Sequence, residues 1–245
     1  LLTARLFAAV VGLFQVGVMG WLAWIFSKKD QKAALLTMLL TSLLPFWYFH
    51  HRMFLLDGLL TFWLSLFFGC AYLYTQKLSS PKKLAIAELS KMLQQNTVSI
   101  LLAGIFFGLA LLTKIPAILL LPSIGLLSLY KAKSIPQVFI RAVALGISVA
   151  IGVALFLSLK IHPAFGQLFR RGSDFLFTWQ EVFIQGQWQQ TIQNSPTYVF
   201  YFVSYLTLPV MMINLVGLFF KKNQARAHLL FWSGVLFLLP IGLMG

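Results

Sequence analysis

The stretch His50-His51-Arg52-Met53-Phe54-Leu55-Leu56-Asp57-Gly58 lies between two long apolar runs, Ala33–Phe49 before it and Leu59–Tyr74 after it. A charged side chain at the centre of a membrane helix costs about 2.5–3.5 kcal/mol on translocon-insertion scales, and less near the interface. The chain carries only 5 Asp and Glu against 19 Lys and Arg. An acid at the rim of an apolar helix in such a chain is therefore either paired or used. Two readings fit. One is an Arg52–Asp57 ion pair, or headgroup anchoring, with no chemistry. The other is a polar site at the membrane surface, with Arg52 and Asp57 facing the interior of a helix bundle.

Composition supports the membrane setting. Of the 245 residues, 60% are hydrophobic and 10% charged, where soluble domains carry about 25% charged residues. Several apolar stretches approach the roughly 20 residues that cross a bilayer. The fold class is thus all-α, a polytopic transmembrane bundle of about eight spans over residues 1–245. The net charge of +14 does not point to nucleic acid, because the cations cluster in short loops between apolar runs. The single Cys70 permits no intrachain disulfide. The chain opens on Leu1 and ends at Gly245, each inside an apolar segment, and so reads as an internal piece of a longer protein.

Taken in order, the first span is Ala4–Phe26, with a small face at Ala8, Gly12, Val16 and Gly20. The second is Ala33–Phe49, with Pro45 near its end. The third is Met53–Thr75, where Asp57, Thr61, Ser65 and Gly69 share one face by their i+4 spacing. That polar face meets protein or a cavity rather than lipid, either as a site or as plain interhelical hydrogen bonding. Leu84–Leu93 has the pattern of an amphipathic helix on the membrane. Val98–Leu112 is the fourth span, with a Gly104/Gly108 contact. Pro116 pushes Ile115 out of helical geometry and turns the chain. Ile118–Tyr130 is a short fifth span. Phe139–Leu159 is the sixth, with a small ladder at Ala142, Gly146, Ala150 and Ala154. The loop 160–196 mixes Arg170, Arg171, Asp174 and Glu181 with aromatics, which suggests interfacial helices. Thr197–Phe220 and Leu229–Gly245 supply the seventh and eighth spans.

Alternation of loops sorts the charges. Lys28, Lys29, Lys32, Lys77, Lys82, Lys83, Lys91, Lys131, Lys133, Arg141, Lys221, Lys222 and Arg226 fall on one side, which the positive-inside rule makes cytoplasmic. Arg52, Asp57, Lys114 and the 160–196 loop then converge on the outer face. P-loop, HExxH, CxxC and GxSxG motifs are all missing from the sequence. What remains is a carboxylate, several cations and aromatics. Cations at a membrane surface hold lipid phosphates. A carboxylate serves as base, metal ligand or hydroxyl acceptor. The residues alone therefore point to an anionic lipid substrate at the outer leaflet.

The run Arg52–Trp63, RMFLLDGLLTFW, resembles the Arg-x(4)-Asp-x-x-Leu-Thr-Phe-Phe signature of GT-C class membrane glycosyltransferases. The closest likeness is to family 39, which includes protein O-mannosyltransferases and aminoarabinose transferases. Gly104–Pro116, GIFFGLALLTKIP, resembles that family's Gly-x-x-x-Gly-Leu-Ala-x-Leu-Thr-Lys-Gly-Pro segment, with Ile115 in place of the usual Gly. Arg5 opens the first span where the family often has an Arg. The resemblance spans roughly residues 4–129, and the 160–196 loop fits it only in type.

The resemblance implies transfer of a sugar from a polyprenyl-phosphate donor to a protein, lipid or glycan hydroxyl, outside the cytoplasmic membrane. It implies that Asp57 lines the transfer cavity and acts in catalysis. Arg52 and Lys114, with Arg5, Arg170 and Arg171, would lie near the donor phosphate, and His162 and Glu181 become acceptor or loop candidates. His162 reads either as an interface residue or as a ligand of a divalent metal shared with Glu181 or Asp57. The family's catalytic base is an acid in an outer loop that precedes the segment matching Ala4–Phe26. Blander readings remain beside these: His50 and His51 as interface residues, Lys114 snorkelling to the surface, Arg170 and Arg171 on lipid headgroups. The rival function is a transporter or flippase for an anionic lipid or sugar-lipid, built on the same intramembrane ions and Pro-broken spans.

Overall fold

Twenty-five consecutive residues, Leu2–Phe26, form the first helix, α1, and its surface shows what surrounds it. Leu6, Phe7, Val10, Leu13 and Phe14 are all exposed, and only 17% of its most apolar window is buried. A face so apolar and so uncovered belongs in lipid. The computed structural model describes residues 2–44, 56–78, 86–167, 180, 184–186, 189, 193, 196, 219 and 228–233. These are helices and turns. They fall into two compact units, Leu1–Phe156 and Leu157–Gly245.

In the first unit α1 is followed by α2 (Gln31–Leu43), α3 (Leu56–Lys77), α4 (Ile86–Gln95), α5 (Thr97–Thr113), a 3-10 segment (Ile115–Leu120), α6 (Leu121–Leu129) and α7 (Ile135–Leu157). Among the described residues three stretches are long and apolar enough to cross a membrane: Leu2–Phe26, Leu56–Lys77 and Ile135–Ile161. The expected fourth and fifth spans appear as shorter apolar helices, Thr97–Thr113 and Ile115–Leu129. The expected second span is helical to Leu43, and its remainder with Pro45 lies outside the described residues. So do nearly all of the seventh and eighth spans, apart from residue 219 and the helical residues 228–233. The second unit begins with two short 3-10 turns, Ser158–Ile161 and Pro163–Gly166.

A tight turn joins α1 to α2. Lys28 and Lys29 take positive φ angles of 64° and 70°, and Lys29 N–H donates back to the Trp24 carbonyl at 2.7 Å. Asp30 then caps α2, accepting from the N–H groups of Lys32 and Ala33. Gly20 permits this hairpin to close: a Cβ there would sit 2.4 Å from Met38 Cγ.

The helix α3 is the centre of the unit. It runs parallel to α1, since Gln15 meets Ser65, Trp21 covers Gly69 and Phe26 stacks on Tyr72 at 4.2 Å. The polar face predicted at Ser65 and Gly69 therefore packs on α1, with Gln15 donating to Ser65 Oγ at 3.4 Å. The larger apolar face of α3 packs on α5 through Phe67 and Phe107, both fully buried, with ring centres 5.2 Å apart. On α1 the buried positions are Ala8, Val11, Gln15, Gly20 and Phe26, so the packed face is rotated from the Ala8–Gly12–Val16–Gly20 ladder.

The GxxxG contact of α5 is real and falls on α7. A Cβ at Gly104 would approach Ile151 Cβ to 2.7 Å, and one at Gly108 would approach Leu155 Cδ2 to 2.7 Å. The reciprocal face of α7 is Ala144, Ser148 and Gly152. Ser148 Oγ bonds the Ile100 carbonyl and lies 3.1 Å from Tyr74 Oη, tying α7 to α5 and α3. This corrects the sequence expectation. Ala142, Gly146, Ala150 and Ala154 face outward and are exposed. Both ladders have the right spacing, but only the one with Ser148 can also satisfy buried polar groups. Gly152→Ala should cost about 1–3 kcal/mol, because the added methyl meets Phe107 and the backbone of Gly104 and Gly108. Gly146→Ala meets nothing within 4 Å and should be neutral. Thermal unfolding of the two variants in micelles checks the contrast.

A second correction concerns Arg141. It sits in the second turn of α7, not in a loop, and is 2% exposed. Its Nη1 donates to the Tyr130 carbonyl at 2.6 Å, capping the end of α6. One turn earlier, Gln137 Nε2 donates to the Leu78 carbonyl at the end of α3. Two side chains of α7 thus satisfy the ends of two other helices.

Candidate active site

Asp57 lies in the first turn of α3, where the helix macrodipole favours a carboxylate. Its backbone carbonyl accepts from Thr61 Oγ1 at 2.8 Å, so the predicted Asp57–Thr61 face begins with a bond inside the helix itself. Lys114 ends α5. Its backbone is extended, φ −155° and ψ 132°, while Ile115 already opens the 3-10 segment. The break thus falls one residue earlier than Pro116 alone predicts. The Lys114 N–H still donates to the Ala110 carbonyl, and the Lys114 carbonyl accepts from Ala117 N–H. Anchored on both sides, Lys114 directs its ammonium to Asp57 Oδ1, with Nζ 2.5 Å away.

The sequence placed Asp57 beside Arg52, but Arg52 lies outside the described residues. What the structure brings together is Asp57 and Lys114, which are 57 residues apart in sequence. The side chains are 37% and 34% exposed, respectively. A pair this open contributes about 0–1 kcal/mol to stability. It is accessible to a ligand from the surface while held in a short, charge-assisted bond.

Arg5 joins this end of the unit by register. Because α1 and α3 run parallel with Gln15 opposite Ser65, Arg5 stands at about the level of the start of α3, exposed. His162 belongs to the second unit, where it is exposed and follows the Ser158–Ile161 turn. His50, His51, Arg170, Arg171 and Glu181 lie outside the described residues. Among the described residues no three His, Cys, Asp or Glu side chains gather into a group that could hold a metal ion. Asp57 Oδ1 faces the Lys114 ammonium.

Sequence reasoning passed over Gln15. It is 1% exposed in the middle of an apolar helix, and its Oε1 is buried without a hydrogen-bond partner. A lone amide in a membrane span was the signal that could have found it.

Two comparisons with known proteins found no match: no curated protein and no solved structure resembles the chain at a significant level. A third did. The family model described as dolichyl-phosphate-mannose-protein mannosyltransferase matches residues 1–175, which include α1 through α7 and the Asp57–Lys114 pair.

Proposed function

Because the chain belongs to the dolichyl-phosphate-mannose-protein mannosyltransferase family, and so is a membrane glycosyltransferase drawing on a polyprenyl-phosphate sugar, we propose that it delivers that sugar to an acceptor hydroxyl at the outer face of the membrane. The observation that carries this reading is the Lys114–Asp57 pair, held at the mouth of α3 by a helix break. Lys114 supplies the cation for the donor phosphate, as a point charge. When the phosphate takes the ammonium, the Asp57 carboxylate is freed to accept a hydroxyl hydrogen bond from the sugar or acceptor. Arg5 stands at the same level as a second cation, and Arg52, Arg170 and Arg171 are proposed for the same phosphate. Glu181 and His162 are proposed for the acceptor side. The acceptor is a protein, lipid or glycan hydroxyl, and the protein works in the cytoplasmic membrane.

Reconstitution tests the chemistry. Full-length protein in liposomes, given a polyprenyl-phosphate sugar labelled in the sugar, should release polyprenyl phosphate as the label appears on acceptor. Movement of intact donor between leaflets without its consumption would instead establish the transporter reading.

The membrane face is tested separately. In a Cys70-free protein, a cysteine at Lys133 should be shielded from an impermeant thiol reagent in intact cells, and one at Gln167 should react. The reverse pattern would put the Asp57 end in the cytoplasm.

A further inference from the structure

The end of α3 opposite Asp57 carries an unclaimed cluster. The helix α6 stops at Tyr130, and Lys131 takes a φ of 51°, a left-handed conformation that glycine usually fills. Arg141 reaches the same point and is bonded to the Tyr130 carbonyl. Its Nε and the Tyr130 hydroxyl are buried without hydrogen-bond partners. Among the described residues no carboxylate pairs with this guanidinium. A buried cation lacking a counter-charge is costly, and so calls for an anion. Lys131 and Lys133 are exposed beside it, with the Lys131 ammonium 5.4 Å from the Tyr130 ring centre.

An open groove of about 230 Å³ lies between α6 and α7. Gly125 and Ser128 line one wall, Ala142, Leu145, Gly146 and Val149 the other, and its surface is almost wholly apolar. Ser128 is two residues from Tyr130, and Leu145 is one helical turn beyond Arg141, so the cations stand at one end of the groove. No side chain projects into it from Gly125 or Gly146, where an added Cβ would meet nothing within 4 Å. The depth is also right. Gln137 ties this region to the last turn of α3. That helix has 22 residues, a rise of about 33 Å, against a hydrocarbon core of about 30 Å. The cluster therefore sits at the membrane face opposite Asp57.

We propose that this is a binding site for one anionic phospholipid, with its phosphate on the exposed Lys131 and Lys133, next to the buried charge of Arg141, and an acyl chain in the groove between α6 and α7. The charge selects the headgroup: three cations with no described counter-ion take a net-negative lipid, whereas a choline headgroup brings a further cation to the same place.

Purified full-length protein in micelles is titrated with phosphatidylglycerol or phosphatidylcholine of identical acyl chains. Retention is read by native mass spectrometry, and stability by thermal unfolding. Phosphatidylglycerol should be retained and should raise the unfolding temperature, and phosphatidylcholine should do neither. Lys131→Gln with Lys133→Gln should weaken phosphatidylglycerol retention about 30-fold, since each of the two surface cations contributes on the order of 1 kcal/mol. Gly146→Leu, whose Cβ meets nothing within 4 Å, puts a side chain into the groove and should abolish retention, while lipid-free stability and the oligomeric state stay as in the parent protein. Equal retention of the two lipids, or retention untouched by these variants, would overturn the proposal. So would a Gly146→Leu protein that loses lipid-free stability or changes its oligomeric state, which would show that a helix occupies the groove.

Discussion

Lys114→Ala is expected to leave the full-length protein folded and inserted while raising the KM for the polyprenyl-phosphate donor by about 10²-fold. The first half follows from exposure. The pair is about one-third open to solvent, so its loss costs about 1 kcal/mol or less, and the break at Lys114 is made by backbone geometry that alanine can share. The second half follows from charge. Removing a group that contacts a phosphate through a charge-assisted bond costs about 1.5–3 kcal/mol, or roughly 10–150-fold in binding. Lys114→Arg keeps the charge, but a planar fork replaces a point charge, so partial recovery is expected. Steady-state kinetics with varied donor separates KM from kcat. An unchanged KM would remove Lys114 from the phosphate site and leave it as the counter-ion of Asp57.

Asp57→Asn should have the opposite signature, a kcat about 10²-fold lower or worse at near-normal protein levels, the scale lost with a positioned acid or base. Asparagine keeps the shape and an acceptor oxygen but not the charge. If Asp57 served only to balance Lys114, turnover would stay near normal and stability would fall by no more than about 1 kcal/mol, since the pair is about one-third open. If the two act together on substrate, the double variant, Asp57→Asn with Lys114→Gln, stays inactive. Its loss should then be smaller than the product of the single losses, because residues in contact do not add. Normal turnover by Asp57→Asn would eliminate the carboxylate from the reaction.

Helix positions were legible because apolar runs bounded by charge leave few alternatives in a bilayer. The side assignments within the first unit were legible as well. Asp57 and Lys114 do share one end, and Lys77 and Lys133 the other, as the Lys114–Asp57 and Gln137–Leu78 bonds require. The bond between Asp57 and Lys114 was not legible, because it joins a helix start to a helix end 57 residues away; the Arg52 expected beside Asp57 lies outside the described residues. The packed face of α7 was hidden for a different reason. Small residues recur along two of its faces, and only the acceptor at Ile100 and the hydroxyl of Tyr74 choose between them. Arg141 looked like a loop cation because it lies close to Lys131 and Lys133 in sequence. Its role as a cap for α6 exists only once two helices meet.

The length of α5 also bears on the bilayer. At 17 residues, α5 rises about 25 Å, short of a hydrocarbon core of about 30 Å, whereas α3, with 22 residues from Leu56, is long enough to span it. The Lys114–Asp57 bond holds the two helices level on the Asp57 side, so the shortfall of α5 falls at its Thr97 end. A helix too short for its membrane draws the lipid surface in to meet it, and it is at that end that α4, finishing at Gln95, leads into α5.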